Sequence, residues 1–126
     1  MHTYNKIINK IDRLIINYIN HNYSGEVEKQ RMRMDFLRGF EKGFELIIER
    51  GIPSSDYWRE PTVRCQKEGL KQFILLDPAQ VGGLIGSLVS VLNDRSLATK
   101  YPYIQIIQCL SRDWPQFYNY IQTLIS

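Results

Sequence analysis

Apolar residues recur along this chain at the three- and four-residue spacing of one helix face, almost from end to end. Over residues 3–22, Tyr4, Ile7, Ile8, Ile11, Leu14, Ile15, Tyr18 and Ile19 share a side, while Asn and charged residues take much of the other. Tyr23-Ser24-Gly25 ends this segment. A second helix is predicted over 25–50, with Ser24 as N-cap, Glu26 and Glu28 facing the positive end of the dipole, and Gly51 as a left-handed stop. Its stripe reads Val27, Met34, Leu37, Phe40, Phe44, Ile47 and Ile48. Glu41, Glu45 and Glu49 form an exposed flank, and Arg38 and Lys42 stand three residues ahead of Glu41 and Glu45, spaced for pairing.

Residues 52–56 read as a connection in which Ser55 or Asp56 caps a short turn holding Tyr57 and Trp58. Pro61 suits the first turn of a third helix, 61–75, with Val63, Gln66, Leu70, Phe73 and Ile74 on one face. Asp77-Pro78 is a cap-plus-N1 signal opening a fourth helix, 78–93. From Val81 to Leu92 that segment holds no charge, so burial on most sides is expected. Gly82, Gly83 and Gly86 each cost roughly 1 kcal/mol against alanine in a helix, so a neighbouring helix is expected to cross very close to Gly82 and Gly86. Asn93–Ser96 reads as a loop. Two further helices are expected, 102–111 and 114–125, the latter capped by Asp113, with Trp114 stapled to Tyr118. The runs 73–76 and 103–106 have strand-like composition, but no hairpin dipeptide joins them and helical periodicity flanks both. The pattern predicts an all-α fold, one domain over 1–126, with five to six helices bundled around the buried segment 78–93.

Composition narrows the picture. The chain has 126 residues, 44% hydrophobic and 23% charged, which suits a soluble globular domain rather than a disordered one. No apolar run approaches the roughly 18–20 residues that cross a bilayer, and the N-terminal residues do not read as a secretory signal, so a cytoplasmic protein is expected. Two cysteines, Cys65 and Cys109, make no disulfide framework and are expected as reduced, partly buried thiols. The net charge of +3 is not concentrated: residues 1–22 carry a small basic surplus, whereas 26–50 and 72–126 each cancel. Binding through many phosphates requires a concentrated basic face. A nucleic-acid-associated regulator using Lys6, Lys10, Arg13, Arg31 and Arg33 therefore stands as the alternative reading.

Residues that do chemistry are scarce. His2 and His21 would lie about 28 Å apart on a continuous helix. No HExxH, CxxC or glycine-rich phosphate loop occurs, and the Glu41/Glu45/Glu49 row, interleaved with Arg38 and Lys42, reads as a solvated charged face. No catalytic residue, metal or cofactor is expected. A polar cleft joining His21, a thiol and a carboxylate would reverse that expectation. Aromatic residues in connections point instead to protein binding: the candidate contacts are Asp56, Tyr57, Trp58 and Glu60, with Tyr101 as a second patch.

In length, compact helical patterning, missing catalytic equipment and an Ile/Asn/Lys/Tyr-rich composition, the chain resembles small helical immunity proteins of bacterial toxin systems, such as those that neutralise contact-dependent growth-inhibition toxins. The resemblance implies a protein partner, a cognate toxin and most simply a nuclease, whose active site or substrate groove is covered. Immunity proteins against basic nucleases are commonly acidic and this chain is mildly basic, so the grip would rest on shape and a local acidic or aromatic patch.

Overall fold

The computed structural model describes residues 3–98 and 103–125, and these are helical with no strand among them. Eight helices follow in order: α1 (Tyr4–Asn22), α2 (Glu26–Arg50), α3 (Ser55–Glu68), α4 (Leu70–Leu76), α5 (Pro78–Asn93), α6 (Arg95–Ala98), α7 (Ile104–Asp113) and α8 (Pro115–Ile125). The all-α expectation holds, and the count exceeds five to six because the middle of the chain is more finely divided than its periodicity suggests.

The divisions have local causes. Tyr57 and Trp58 belong to the same helix as Cys65, and α3 runs through Pro61 rather than starting there. The segment expected as 61–75 is broken at Gly69, whose φ of 81° is open to glycine at little cost. A carboxylate from elsewhere stabilises the new start: Asp113 Oδ2 accepts the Leu70 backbone N–H at 2.9 Å. Asp113 therefore closes α7 and caps α4, not the last helix. The N-cap of α2 is Gly25 rather than Ser24. At α5 the cap is as expected, with Asp77 Oδ1 accepting the Gln80 N–H at 3.1 Å and Pro78 in the first turn.

α1 and α2 form an antiparallel pair, with the ring of Tyr4 5.0 Å from that of Phe44 and Asp12 bound to Arg33. α1 buries Ile7, Ile11, Leu14, Ile15, Tyr18 and Ile19, as its stripe requires. On α2 the expected stripe is rotated from the observed one. Val27, Met34 and Ile48 are exposed, and the buried side carries Met32, Phe36, Gly39, Phe40, Gly43, Phe44 and Ile47. The two glycines explain the rotation. A helix side with no side chains scores as neither apolar nor polar, yet here it is the side pressed hardest against a neighbour.

That neighbour is α5, in which every residue from Leu84 to Leu92 is buried. A Cβ on Gly82 would collide with the Phe36 carbonyl, one on Gly86 with that of Phe40, one on Gly39 with that of Ala79 and one on Gly43 with that of Gly83. The expected close crossing at Gly82 and Gly86 is thus present, and it is reciprocal. Residue numbers rise together on both sides, so α2 and α5 lie parallel, joined along two small-xxx-small rows. Ser87 Oγ lies 2.9 Å from the Gly83 carbonyl oxygen and 3.2 Å from that of Gly43, across the seam. α5 also touches α3, α4, α6 and α8. Around it, Trp114 stacks on Phe117 at 4.8 Å and meets the rings of Tyr18 and Phe36, not Tyr118 as the staple reading expected.

Cys65 of α3 and Cys109 of α7 are bonded as a disulfide, 44 residues apart in sequence, and both are buried. The expectation of two reduced, partly buried thiols is corrected: separation along the chain gave no sign that α3 and α7 meet side by side.

Candidate functional site

The candidate contacts Asp56, Tyr57, Trp58 and Glu60 fall in the first turns of α3, and the helix separates them. Trp58, Thr62 and Cys65, spaced four and three residues apart, are buried and fix its inner face. Trp58, 5% exposed, presents almost no surface to a partner. Asp56 and Glu60 are exposed on the outer side, and Tyr57 is 37% exposed at its edge. Tyr101 lies outside the described residues, as do His2 and Pro102.

The outer side of α3 holds a shallow depression of about 700 Å³ in which Asp56, Arg59, Glu60 and Lys67 surround Val63. Val63 is 40% exposed, an apolar spot inside a ring of mixed charge. Arg59 pairs with Asp56 at 3.0 Å. Arg64 anchors the inner border. Its Nε donates to Glu68 at 2.9 Å, its Nη1 donates to the Gln80 side-chain oxygen at 3.1 Å, and its guanidinium carbon lies 4.6 Å from the centre of the Phe73 ring. One side chain thereby ties α3 to α4 and α5.

On the other flank of α3, α2 and α5 leave a cleft of about 530 Å³. Gly39, Gly43 and Gly83 form its floor, Arg38 and Lys42 rise from α2, Gln80 from α5, and Tyr57 closes one end. The Tyr57 hydroxyl lies 3.1 Å from Ser87 Oγ. Among the described residues Arg38 and Lys42 make no ion pair, and the expected pairing with Glu41 and Glu45 does not form. Apart from Arg50 at its end, the other basic residues of α2 are engaged: Lys29 pairs with Glu26 at 3.1 Å, Arg33 grips Asp12 through two bonds of 2.8 and 2.9 Å, and Arg31 pairs with Glu28 and, at 3.9 Å, with Asp35. Two of the five residues proposed for phosphate contact, Arg31 and Arg33, are thus held by carboxylates.

A third cleft, of about 510 Å³, lies between α1 and the start of α8, and His21 and Asp113 both line it. Asp113 Oδ2 is 4.0 Å from Cys109 Sγ. Histidine, carboxylate and sulfur come near one another, but the sulfur is bonded to Cys65 and supplies no thiolate. The carboxylate is committed to Arg112, at 2.6 and 2.7 Å, and to the Leu70 N–H. The hydrogen bonds from Arg112, helped by that from Leu70, hold the Asp113 carboxyl below its usual range. This cluster is a structural tie between α4 and α7.

Arg64, Ser87 and Asp113 carry no motif that marks them in advance. Gly39-xxx-Gly43 repeats the spacing of Gly82-xxx-Gly86, and that match was the available signal for the seam. No group of His, Cys, Asp and Glu able to hold a metal ion occurs among the described residues. No single helix there is long and apolar enough to cross a membrane, and α4 with α5, which reach that length together, are bent by 119°. Comparison with known proteins returned no matching family model, no matching curated protein and no matching solved structure.

Proposed function

We propose that this chain is a binding protein rather than an enzyme, and that it neutralises a cognate bacterial toxin by laying the outer side of α3 over the toxin's active site or substrate groove. The observation that supports this reading is the clamping of α3. Trp58, Thr62 and Cys65 fix one face in the core, so the opposite face is held rigid before any partner arrives. A preordered surface loses little conformational freedom on association, and that loss is a main cost of binding. Glu60, which makes no ion pair among the described residues, supplies the acidic contact for a basic nuclease, Asp56 being shared with Arg59, and Val63 supplies the apolar contact at the middle. On this reading the complex forms in the cytoplasm, where thiols are kept reduced, and the burial of Trp58 and Thr62 holds α3 whether or not Cys65 and Cys109 are bonded.

Co-expression with a toxin reading frame adjacent to the gene tests the proposal, and the lack of any such frame counts against it. The wild-type chain protects the cells and co-elutes with the toxin. The double variant Glu60→Arg/Val63→Asp, altered at exposed positions only, folds normally and loses at least tenfold in affinity. If the toxin kills regardless, or if the double variant protects as well as wild type, the proposal fails.

A further inference from the structure

The cleft between α2 and α5 serves no purpose in the toxin reading, and its chemistry is specific. Arg38 and Lys42, both exposed, stand one helical turn apart and line the same wall. Every other basic side chain described on α2 except the terminal Arg50 is matched to a carboxylate, and these two are not. Gln80 adds a donor from the opposite wall: with its oxygen accepting from Arg64, the amide NH₂ remains. The floor is glycine backbone, so no side chain rises to fill the space or cover the cations. Asp35 is the one acidic group in the lining, and Arg31 lies 3.9 Å from it.

Tyr57 refines the picture. Ser87 Oγ has one proton, used toward the carbonyls of Gly43 and Gly83, so the Tyr57 hydroxyl donates to Ser87 and keeps its lone pairs. The far end of the cleft therefore offers an aromatic edge and an acceptor rather than another cation. We propose that this cleft is a binding site for a small phosphorylated molecule, with its phosphate between Arg38, Lys42 and Gln80 and its organic body directed toward Tyr57 and Leu46. Two unmatched cations favour a dianionic phosphate over a single carboxylate, and about 530 Å³ lies within the range of ligand pockets, roughly 300–1,000 Å³.

The test is a titration of the labelled full chain with pyrophosphate, followed by amide NMR at constant ionic strength, with acetate in a parallel arm. Saturable shifts at the amides of Gly39, Gly43 and Gly83 are expected with pyrophosphate. In Arg38→Gln/Lys42→Gln they weaken at least tenfold while the melting temperature stays within a few degrees. Arg13→Gln/Lys71→Gln, which removes the same charge from exposed positions elsewhere, leaves the titration unchanged. Shifts that never saturate, that fall equally in both double variants, or that acetate produces at the same concentration overturn the assignment. The toxin reading stands or falls on Glu60 and Val63, so the two outcomes are separable.

Discussion

Replacing Gly82 and Gly83 one at a time separates two effects that usually oppose each other in a helix. Alanine gains up to about 1 kcal/mol over glycine wherever its methyl group has room. At Gly83 the nearest atom to a new Cβ is the Gly39 oxygen at 3.6 Å, an ordinary contact, so Gly83→Ala is expected to stabilise by up to about 1 kcal/mol. At Gly82 the Cβ meets the Phe36 backbone, which cannot step aside without moving α2. Overpacking of that kind costs about 1–3 kcal/mol, so Gly82→Ala is expected to destabilise. Urea midpoints for the two adjacent variants should shift in opposite directions; shifts of the same sign would remove the close seam. The α5 half of this contact was legible, because glycines in an uncharged helix ask for a reason. The α2 half was not. Gly39 and Gly43 sit among Arg38, Glu41 and Lys42, and polar neighbours disguise a face that packs through its backbone.

Helix boundaries were legible where side chains cap their own helix, as Asp77 does for α5, and illegible where the cap comes from far along the chain, as Asp113 does for α4. The same distinction governs the cysteines. Cys65 and Cys109 sit at unremarkable positions on α3 and α7, and only the packing of those two helices brings their sulfurs together. Closing a loop of 44 residues restricts the unfolded chain by about 4 kcal/mol on a chain-entropy scale. Reduction is therefore expected to lower the unfolding free energy by about 2–4 kcal/mol, measured as a fall in the denaturant midpoint with a reducing agent present. Thiol titration of the chain unfolded without reductant should find none free. Two reactive thiols in that assay would restore the reduced reading and leave α3 held by Trp58 and Thr62 alone. Among the candidate contacts, the choice of this segment was readable from its aromatics, but the division between Trp58 inside and Asp56 and Glu60 outside depends on how α3 is turned.

The response of the whole molecule to pH follows from groups at its two limits. Burial raises the hydroxyls of Tyr4, Tyr18 and Tyr120, and that of Tyr23 to about 12. The unfolded chain releases these protons near pH 10 and the folded chain holds them longer. Above about pH 10 the unfolded state therefore binds fewer protons, and stability falls as pH rises through the folded values. At the acid end the sign reverses. Asp113 titrates below the ordinary carboxylate range when folded, so its contribution is present above about pH 4 and is lost as pH drops through its depressed value. Melting temperatures across the range should form a plateau, with an alkaline decline that tracks late tyrosinate absorbance. An alkaline decline missing from Tyr18→Phe/Tyr23→Phe would assign it to that pair; a decline unchanged in the variant would rule them out. Fold class was readable at this scale because helix periodicity is a property of the whole chain, whereas the clefts arise between helices that no local pattern relates.

Two helices that share a direction cannot be joined by a tight hairpin. The polypeptide leaves α2 at Arg50 and must return through α3 and α4 to the level of Gly39, roughly 16 Å back along α2, before α5 can start beside it. Gly39 and Ala79 therefore come together only after some forty intervening residues have been gathered in, an entropic toll that neighbouring up-and-down helices escape. Until this junction closes, the uncharged stretch from Val81 to Leu92 lacks its cover from α2, and that side stays open to water and to another copy of itself.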